Sequence, residues 1–118
     1  MYRINKIIKF SAGHYLPRME ESPCRFQHGH NYKVEIAIDQ IHLDVNGMVC
    51  DFNTGFEDIE KMIERKLDHS YLNPIIKTPT AENIAKYIYD FAKTIHPCLK
   101  YVRVWETDDC YAEYRLEP

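Results

Sequence analysis

The sequence predicts an α+β domain, an antiparallel sheet with two helices packed on one of its faces. Three observations predict it. Apolar and polar residues alternate along 2–12 and 31–40, the period of strands with one buried face. Apolar residues recur at helical spacing along 56–67 and 84–95. The order is strands, two helices, then strands again, which suits a sheet covered on one side better than repeated βα units.

Each element has its own signal. In the first strand, Tyr2, Ile4, Ile8, Phe10 and Ala12 hold the even positions, with Lys6 the exception. Residues 15–27 contain Pro17 and Pro23 among polar residues and read as a long loop, a common place for function. In the second strand Tyr32, Val34, Ile36 and Ile38 alternate with Lys33, Glu35 and Asp39. Val45-Asn46-Gly47 is a turn signal, and 48–52 reads as a short third strand. Thr54-Gly55-Phe56-Glu57 matches a capping box, with Thr54 as the expected N-cap of a helix carrying Phe56, Ile59, Ile63 and Leu67. Asn73-Pro74 lies beyond its end. A second helix starts near Pro79 or Thr80, carries Ile84, Ile88, Phe91 and Ile95, and stops at Pro97. Residues 101–107 and 110–116 read as two closing strands joined by an Asp108-Asp109 turn.

Composition narrows the function. A chain of 118 residues, 45% hydrophobic and 28% charged, fits one folded domain spanning 1–118. The net charge of −3 gives no basic excess for nucleic acid or an acidic membrane. No apolar run approaches the roughly 18 residues of a membrane span. The opening MYRINKIIKF lacks the apolar core and cleavage site of a signal peptide, so the expected compartment is the cytoplasm. Cys24, Cys50, Cys98 and Cys110 form no CxxC pair, which gives no support to a disulfide framework or a cysteine-type zinc site. Cys50, Cys98 and Cys110 fall at predicted strand or helix positions and read as ordinary small residues.

His14, His28 and His30 are the chemical oddity. His28 and His30 are two apart, so on a strand they share a face, and His30 keeps the phase of Tyr32, Val34 and Ile36. His14 keeps the phase of Ile8, Phe10 and Ala12. If both strands run on undisturbed, three imidazoles point toward the apolar side, where each needs a partner. A zinc ion would supply one, and three neutral imidazoles would leave a coordination position open, as in catalytic sites. Gly29 would let another group approach the metal. The plain alternative is three unrelated histidines at strand ends. Cys24, four residues before His28, would have a lowered thiol pKa beside zinc or an imidazolium and could act as base or nucleophile. Otherwise it is a small buried or merely exposed cysteine.

Several blocks occur in order: Phe10-Ser-Ala-Gly-His14, Cys24-Arg-Phe-Gln-His28-Gly-His30-Asn-Tyr32, Gly47-Met-Val-Cys-Asp51-Phe52, Leu67-Asp68-His69 with Leu72-Asn73, Pro79-Thr-Ala-Glu82-Asn83, and Trp105-Glu106-Thr107. Together they resemble the 6-pyruvoyltetrahydropterin synthase family over nearly the whole chain. The bacterial and archaeal branch of that family includes 6-carboxytetrahydropterin synthases of queuosine biosynthesis. The resemblance implies the tunnelling fold (T-fold), assembled as trimers stacked into a homohexamer with active sites between subunits. It implies Zn2+ on His14, His28 and His30, and Cys24 as catalytic base. The three residues between Cys24 and His28 look like the carboxytetrahydropterin branch. Gln27 departs from a third branch that carries a Glu near this position.

The resemblance makes Asp68 and His69 a proton relay with Cys24. A carboxylate that orients an imidazole and stabilises its charged form suits that task. A histidine at a helix C-terminus, with an aspartate pairing locally, is the structural alternative. The resemblance aligns Glu106 with the family's pterin-anchoring carboxylate. On a strand Glu106 shares the apolar face of Val102 and Val104, and a pterin's 2-amino and N3–H edge would satisfy a buried carboxylate with two bonds. A strand ending in solvent is the other reading. Thr80 and Glu82 align with the border of the pterin pocket, though a hydroxyl cap and a first-turn acid are ordinary helix chemistry. Ala81 stands where many relatives carry a hydroxyl, so the resemblance implies one pterin contact fewer at this position.

The implied activity is zinc-dependent conversion of 7,8-dihydroneopterin triphosphate to 6-carboxy-5,6,7,8-tetrahydropterin, acetaldehyde and triphosphate. The alternatives are the triphosphate-eliminating 6-pyruvoyltetrahydropterin synthase reaction and a non-catalytic, zinc-stabilised pterin-binding protein. Arg3, Lys6, Lys9 and Arg25 are all candidate triphosphate contacts, with no basis in sequence for choosing among them.

Overall fold

The structure, a computed structural model, describes residues 1–16 and 28–116. Cys24 and Arg25 lie outside the described residues. Five strands form one sheet: β1 (Tyr2–His14), β2 (His28–Gln40), β3 (Ser70–Tyr71), β4 (Leu99–Trp105) and β5 (Tyr111–Tyr114). Their order across the sheet is β3-β1-β2-β4-β5. All pairings are antiparallel except the two-residue β1–β3 contact, which is parallel. Helices α1 (Glu57–Lys66) and α2 (Ala81–Ile95) lie between β2 and β4 in the chain.

The alternation read from sequence is the burial pattern. Phe10, Ala12, Tyr32, Val34, Ile36, Ile38, Val102 and Val104 are all buried on the helix side. They meet Ile59, Ile63 and Leu67 after the first helix signal and Ile84 and Ile88 of α2 in one core cluster. Phe91 and Ile95 complete the α2 stripe as half-buried residues packed on its edge.

The opposite face is a ladder of matched charges. Arg3 makes two bonds to Asp39, at 2.6 and 2.9 Å. The Glu35 carboxylate accepts from the Tyr101 hydroxyl at 2.8 Å and from Arg103 at 3.0 Å. Glu113 accepts from Arg103 and Arg115, both at 2.6 Å. Partial burial would raise the Glu113 pKa, but the hydrogen bonds from the two guanidinium groups hold it below its ordinary value.

Three details correct the sequence reading. Residues 48–52 form no strand, because local side-chain bonds take up the backbone there. Asp44 Oδ1 accepts from the N–H of Asn46 and Met48, and Asp51 Oδ1 from those of Asn53 and Thr54. Gly47, at φ 77°, turns the chain between them. Next, Thr54 is not a cap. It opens a single 3-10 turn (Thr54–Phe56) leading into α1, and Asp51 holds its entry. Finally, Cys50 sits on a bend, Cys98 on a turn and Cys110 on the irregular residue before β5, none of them in a strand or helix. By contrast Thr80 caps α2 as expected, its hydroxyl accepting from the Asn83 N–H at 3.2 Å.

Candidate functional site

The β1–β2 ladder runs unbroken to its end, where His14 pairs with His28, Gly13 with Gly29 and Ala12 with His30. Strand phase therefore carries all three imidazoles to the helix side of the sheet. Their donor nitrogens lie within 4.8 Å of one another. His14 is only 1% exposed, while His28 and His30 are half-buried.

The tautomer of His14 is set by its surroundings. Its Nδ1 lies 2.6 Å from the Pro79 carbonyl oxygen, which can only accept, so Nδ1 carries the proton. Nε2 then presents a bare lone pair, 3.0 Å from Nε2 of His28. A carbonyl-anchored imidazole turning its other nitrogen inward is the usual arrangement of a metal-ligating histidine. Burial lowers the His30 pKa, Glu106 opposes that, and His14 and His28 add to the lowering. Three imidazoles converging on one point are a nitrogen donor set that fits a divalent ion such as zinc. Tyr32 underlies the cluster, its ring centroid 6.0 Å from that of His14 and 5.5 Å from that of His30.

Glu106 stands one residue past the end of β4, with its Oε1 3.9 Å from His14 Nε2. Its side chain is 31% exposed. The expectation of a buried, unpaired carboxylate within a strand is corrected: the ladder stops at Trp105, so Glu106 projects over the rim of the histidine cluster. Thr80 follows the Pro79 carbonyl that anchors His14, and Glu82 is exposed in the first turn of α2.

Asp68 and His69 form a second group. His69 Nδ1 is 3.1 Å from Asp68 Oδ1, and the same oxygen accepts the Ser11 N–H at 2.9 Å. Among the described residues His69 alone, apart from glycine, has positive φ, at 56°. A histidine held in that sparsely populated region is worth a functional question. The backbone there is pinned by the His69 N–H donating to the Ser11 carbonyl at 2.6 Å. The result displays the imidazole at the sheet edge, 84% exposed. No hydrogen bond among the described residues joins this pair to the three histidines, but His69 and His30 line one hollow of about 400 Å³.

Reading the sequence missed the Pro79 carbonyl and the Ser11 N–H as positioning groups. Both are backbone atoms, and only the chain's path brings them to the site. The one sequence signal near either is that Pro79 immediately precedes a capped helix.

The sequence model described as 6-pyruvoyl tetrahydropterin synthase matches residues 3–117. The 6-carboxy-5,6,7,8-tetrahydropterin synthase of Synechocystis sp. is 37% identical, over 100% of this chain and 98% of its own length. The 6-pyruvoyl tetrahydrobiopterin synthase of Poecilia reticulata is 34% identical, over 97% of this chain and 90% of its own. Among solved structures, the Caenorhabditis elegans 6-pyruvoyl tetrahydropterin synthase superposes with a TM-score of 0.84 at 21% identity, covering 98% of this chain and 96% of the other. That likeness establishes the fold, which is the T-fold of these proteins. By the sequence match across nearly its whole length, the chain belongs to the 6-pyruvoyl tetrahydropterin synthase family.

Proposed function

We propose that the protein is a zinc-dependent 6-carboxy-5,6,7,8-tetrahydropterin synthase, a lyase that converts 7,8-dihydroneopterin triphosphate to 6-carboxytetrahydropterin, acetaldehyde and triphosphate for queuosine biosynthesis. The observation that carries this reading is the convergence of His14, His28 and His30, with His14 fixed in the ligating tautomer by Pro79. The name of the full-length Synechocystis relative favours the carboxytetrahydropterin product. Bound zinc would supply Lewis acidity toward side-chain oxygens of the substrate.

The chain's own residues do the rest. Glu106, at the rim of the cluster, accepts the 2-amino and N3–H donors of the pterin. Thr80 and Glu82 border the ring. Cys24 removes a proton from the substrate side chain. Asp68 orients His69, which carries protons to and from the reacting centre. An imidazole displayed outward at a sheet edge suits a site shared between subunits, in a homohexamer built as a dimer of trimers. Residues 1–118 act as one domain, in the cytoplasm. Among the described residues no helix is long and apolar enough to cross a membrane.

The similarity to the Poecilia protein favours one competing reading, 6-pyruvoyltetrahydropterin formation. Incubating zinc-loaded protein with 7,8-dihydroneopterin triphosphate under reducing conditions separates the outcomes. Acetaldehyde with 6-carboxytetrahydropterin supports the proposal. Triphosphate release with a pyruvoyl product supports the competitor. Substrate bound but never consumed points to a non-catalytic pterin-binding protein. Full turnover by zinc-loaded Cys24→Ala would remove the cysteine from its role.

A further inference from the structure

His14 owes its tautomer to the Pro79 carbonyl, so the group that aims this carbonyl bears on the whole histidine cluster. The Pro79 carbonyl and the Thr80 N–H belong to one trans peptide group, which is planar, so they point in opposite directions. The Thr80 N–H donates to the Thr78 carbonyl at 2.8 Å and closes a three-residue turn with Pro79 at its apex. The proline ring fixes φ there, which leaves ψ of Pro79 as the one dihedral that aims the carbonyl. With the N–H turned into the turn, the carbonyl faces out of it and meets His14 Nδ1 at 2.6 Å.

A hydrogen bond that closes so small a ring is bent, and bent bonds are weak. Asn83 supplies a second restraint. Its Nδ2 donates to the same Thr78 oxygen at 2.8 Å, and a carbonyl has two lone pairs to accept both donors. The Asn83 backbone N–H bonds Thr80 Oγ1 at 3.2 Å, so one residue grips both ends of the turn.

The identity of this residue is informative. Asn83 is the third residue of α2, three after the cap Thr80. A helix is best served at that position by Glu, Gln or Asp. An acceptor there reaches back to the N–H of the cap, and negative charge suits the N-terminal end. Asn83 does neither, and asparagine is a weaker helix former. The Thr80 N–H is already taken by Thr78, and the Asn83 side chain donates away from the helix, to the turn that orients His14.

We propose that Asn83 is a positioning residue of the histidine cluster. Its amide locks the Thr78–Thr80 turn, the locked turn aims the Pro79 carbonyl, and the carbonyl keeps the His14 proton on Nδ1 and the Nε2 lone pair turned inward for a metal. The consequence for zinc rests on the metal site proposed above, whereas the effect on the tautomer does not.

The test compares full-length wild type with Asn83→Asp, Asn83→Ala and Asn83→Gln. The Asp variant is the sharpest. It keeps the size of the side chain and places the acid that the first helical turn favours, but a carboxylate has no proton to donate to Thr78. The His14 tautomer is read in metal-free, histidine-labelled protein by nitrogen-15 NMR in mildly alkaline solution. Zinc affinity is read by competition with a chelator, and ligand geometry by the visible absorption of bound cobalt(II). Wild type should show His14 protonated on Nδ1. The Asp and Ala variants should show a mixture of tautomers, an altered cobalt spectrum and zinc binding weakened about tenfold. Asn83→Gln, which retains the amide donor, should recover most of the affinity. The metal-free Tm of Asn83→Asp should equal or exceed that of wild type. Unchanged tautomer and unchanged zinc affinity in both the Asp and Ala variants would overturn the proposal while leaving the zinc site intact. A metal-free Tm that falls together with zinc affinity in Asn83→Asp, with the tautomer preserved, would show a merely structural role and also overturn it. Loss of the Nδ1–H form in the Asp and Ala variants of a protein that binds no zinc would uphold the role of Asn83 and sink the zinc reading.

Discussion

Zinc should stabilise this protein through His14, and the size of the effect can be worked out. His14 Nδ1 is committed to the Pro79 carbonyl, so Nε2 is its one ligating lone pair, and His14→Ala deletes it outright. At free zinc 100-fold above its dissociation constant, binding to the native state alone contributes about 2.7 kcal/mol. For 118 residues the unfolding entropy is about 0.25 kcal/mol/K near the midpoint. The wild-type Tm should therefore rise by about 11 °C. Losing one of three ligands should weaken zinc at least as much as losing a supporting hydrogen bond, which costs up to about 100-fold. At the same free zinc the variant would then gain about 0.4 kcal/mol, a shift of about 2 °C. Scanning fluorimetry in metal buffers, at one fixed protein concentration, measures both shifts. Each protein is compared with its own metal-free baseline, which separates ligand loss from the cost of emptying a buried position. Magnesium, which prefers oxygen ligands, should shift neither. Equal zinc shifts in wild type and in Ala variants of His14, His28 and His30 would refute the site.

Other expectations follow from the same structure. Asp68→Asn keeps an oxygen for the Ser11 N–H but removes the charge beside His69, so kcat should fall about 100-fold with little change in Tm. Ile88→Ala empties a fully buried position on α2 and should cost about 2–5 kcal/mol in urea unfolding. Asp51→Ala should lower the urea midpoint more than Thr54→Ala, because Asp51 and not Thr54 holds the entry to α1. Glu113→Gln should cost about 1–2 kcal/mol at pH 7. Because the folded pKa of Glu113 is depressed, its contribution is present above the ordinary carboxylate range and is lost as pH falls through the folded value. The stability difference between Glu113→Gln and wild type should therefore vanish in acid, as unfolding curves from pH 7 to pH 3 would show.

Where periodicity was long, the sequence was easy to read. β1 and β2 alternate over enough residues to fix which face is buried, and that phase alone put His14, His28 and His30 on one side. The two helical stripes were equally plain, and Thr80 was legible as a cap because its hydroxyl acts three residues away. Short elements were not legible. The stretch 48–52 follows a turn signal and reads as a short strand, yet aspartate side chains bind its neighbouring backbone, while β3 spans two residues, too few to show a period. Thr54 and Glu57 matched a capping pattern, but Asp51 engaged the Thr54 N–H that Glu57 would have capped.

The sequence by itself determined the fold class, the core faces of the long elements and the shared face of the three histidines, because strand and helix geometry repeat along the chain. Only the tertiary structure decided that the Pro79 carbonyl sets the His14 tautomer and that Glu106 leans over the cluster from the end of β4. Those facts join residues 65 and 92 positions apart, and register and chain path, which local periodicity does not encode, bring them together.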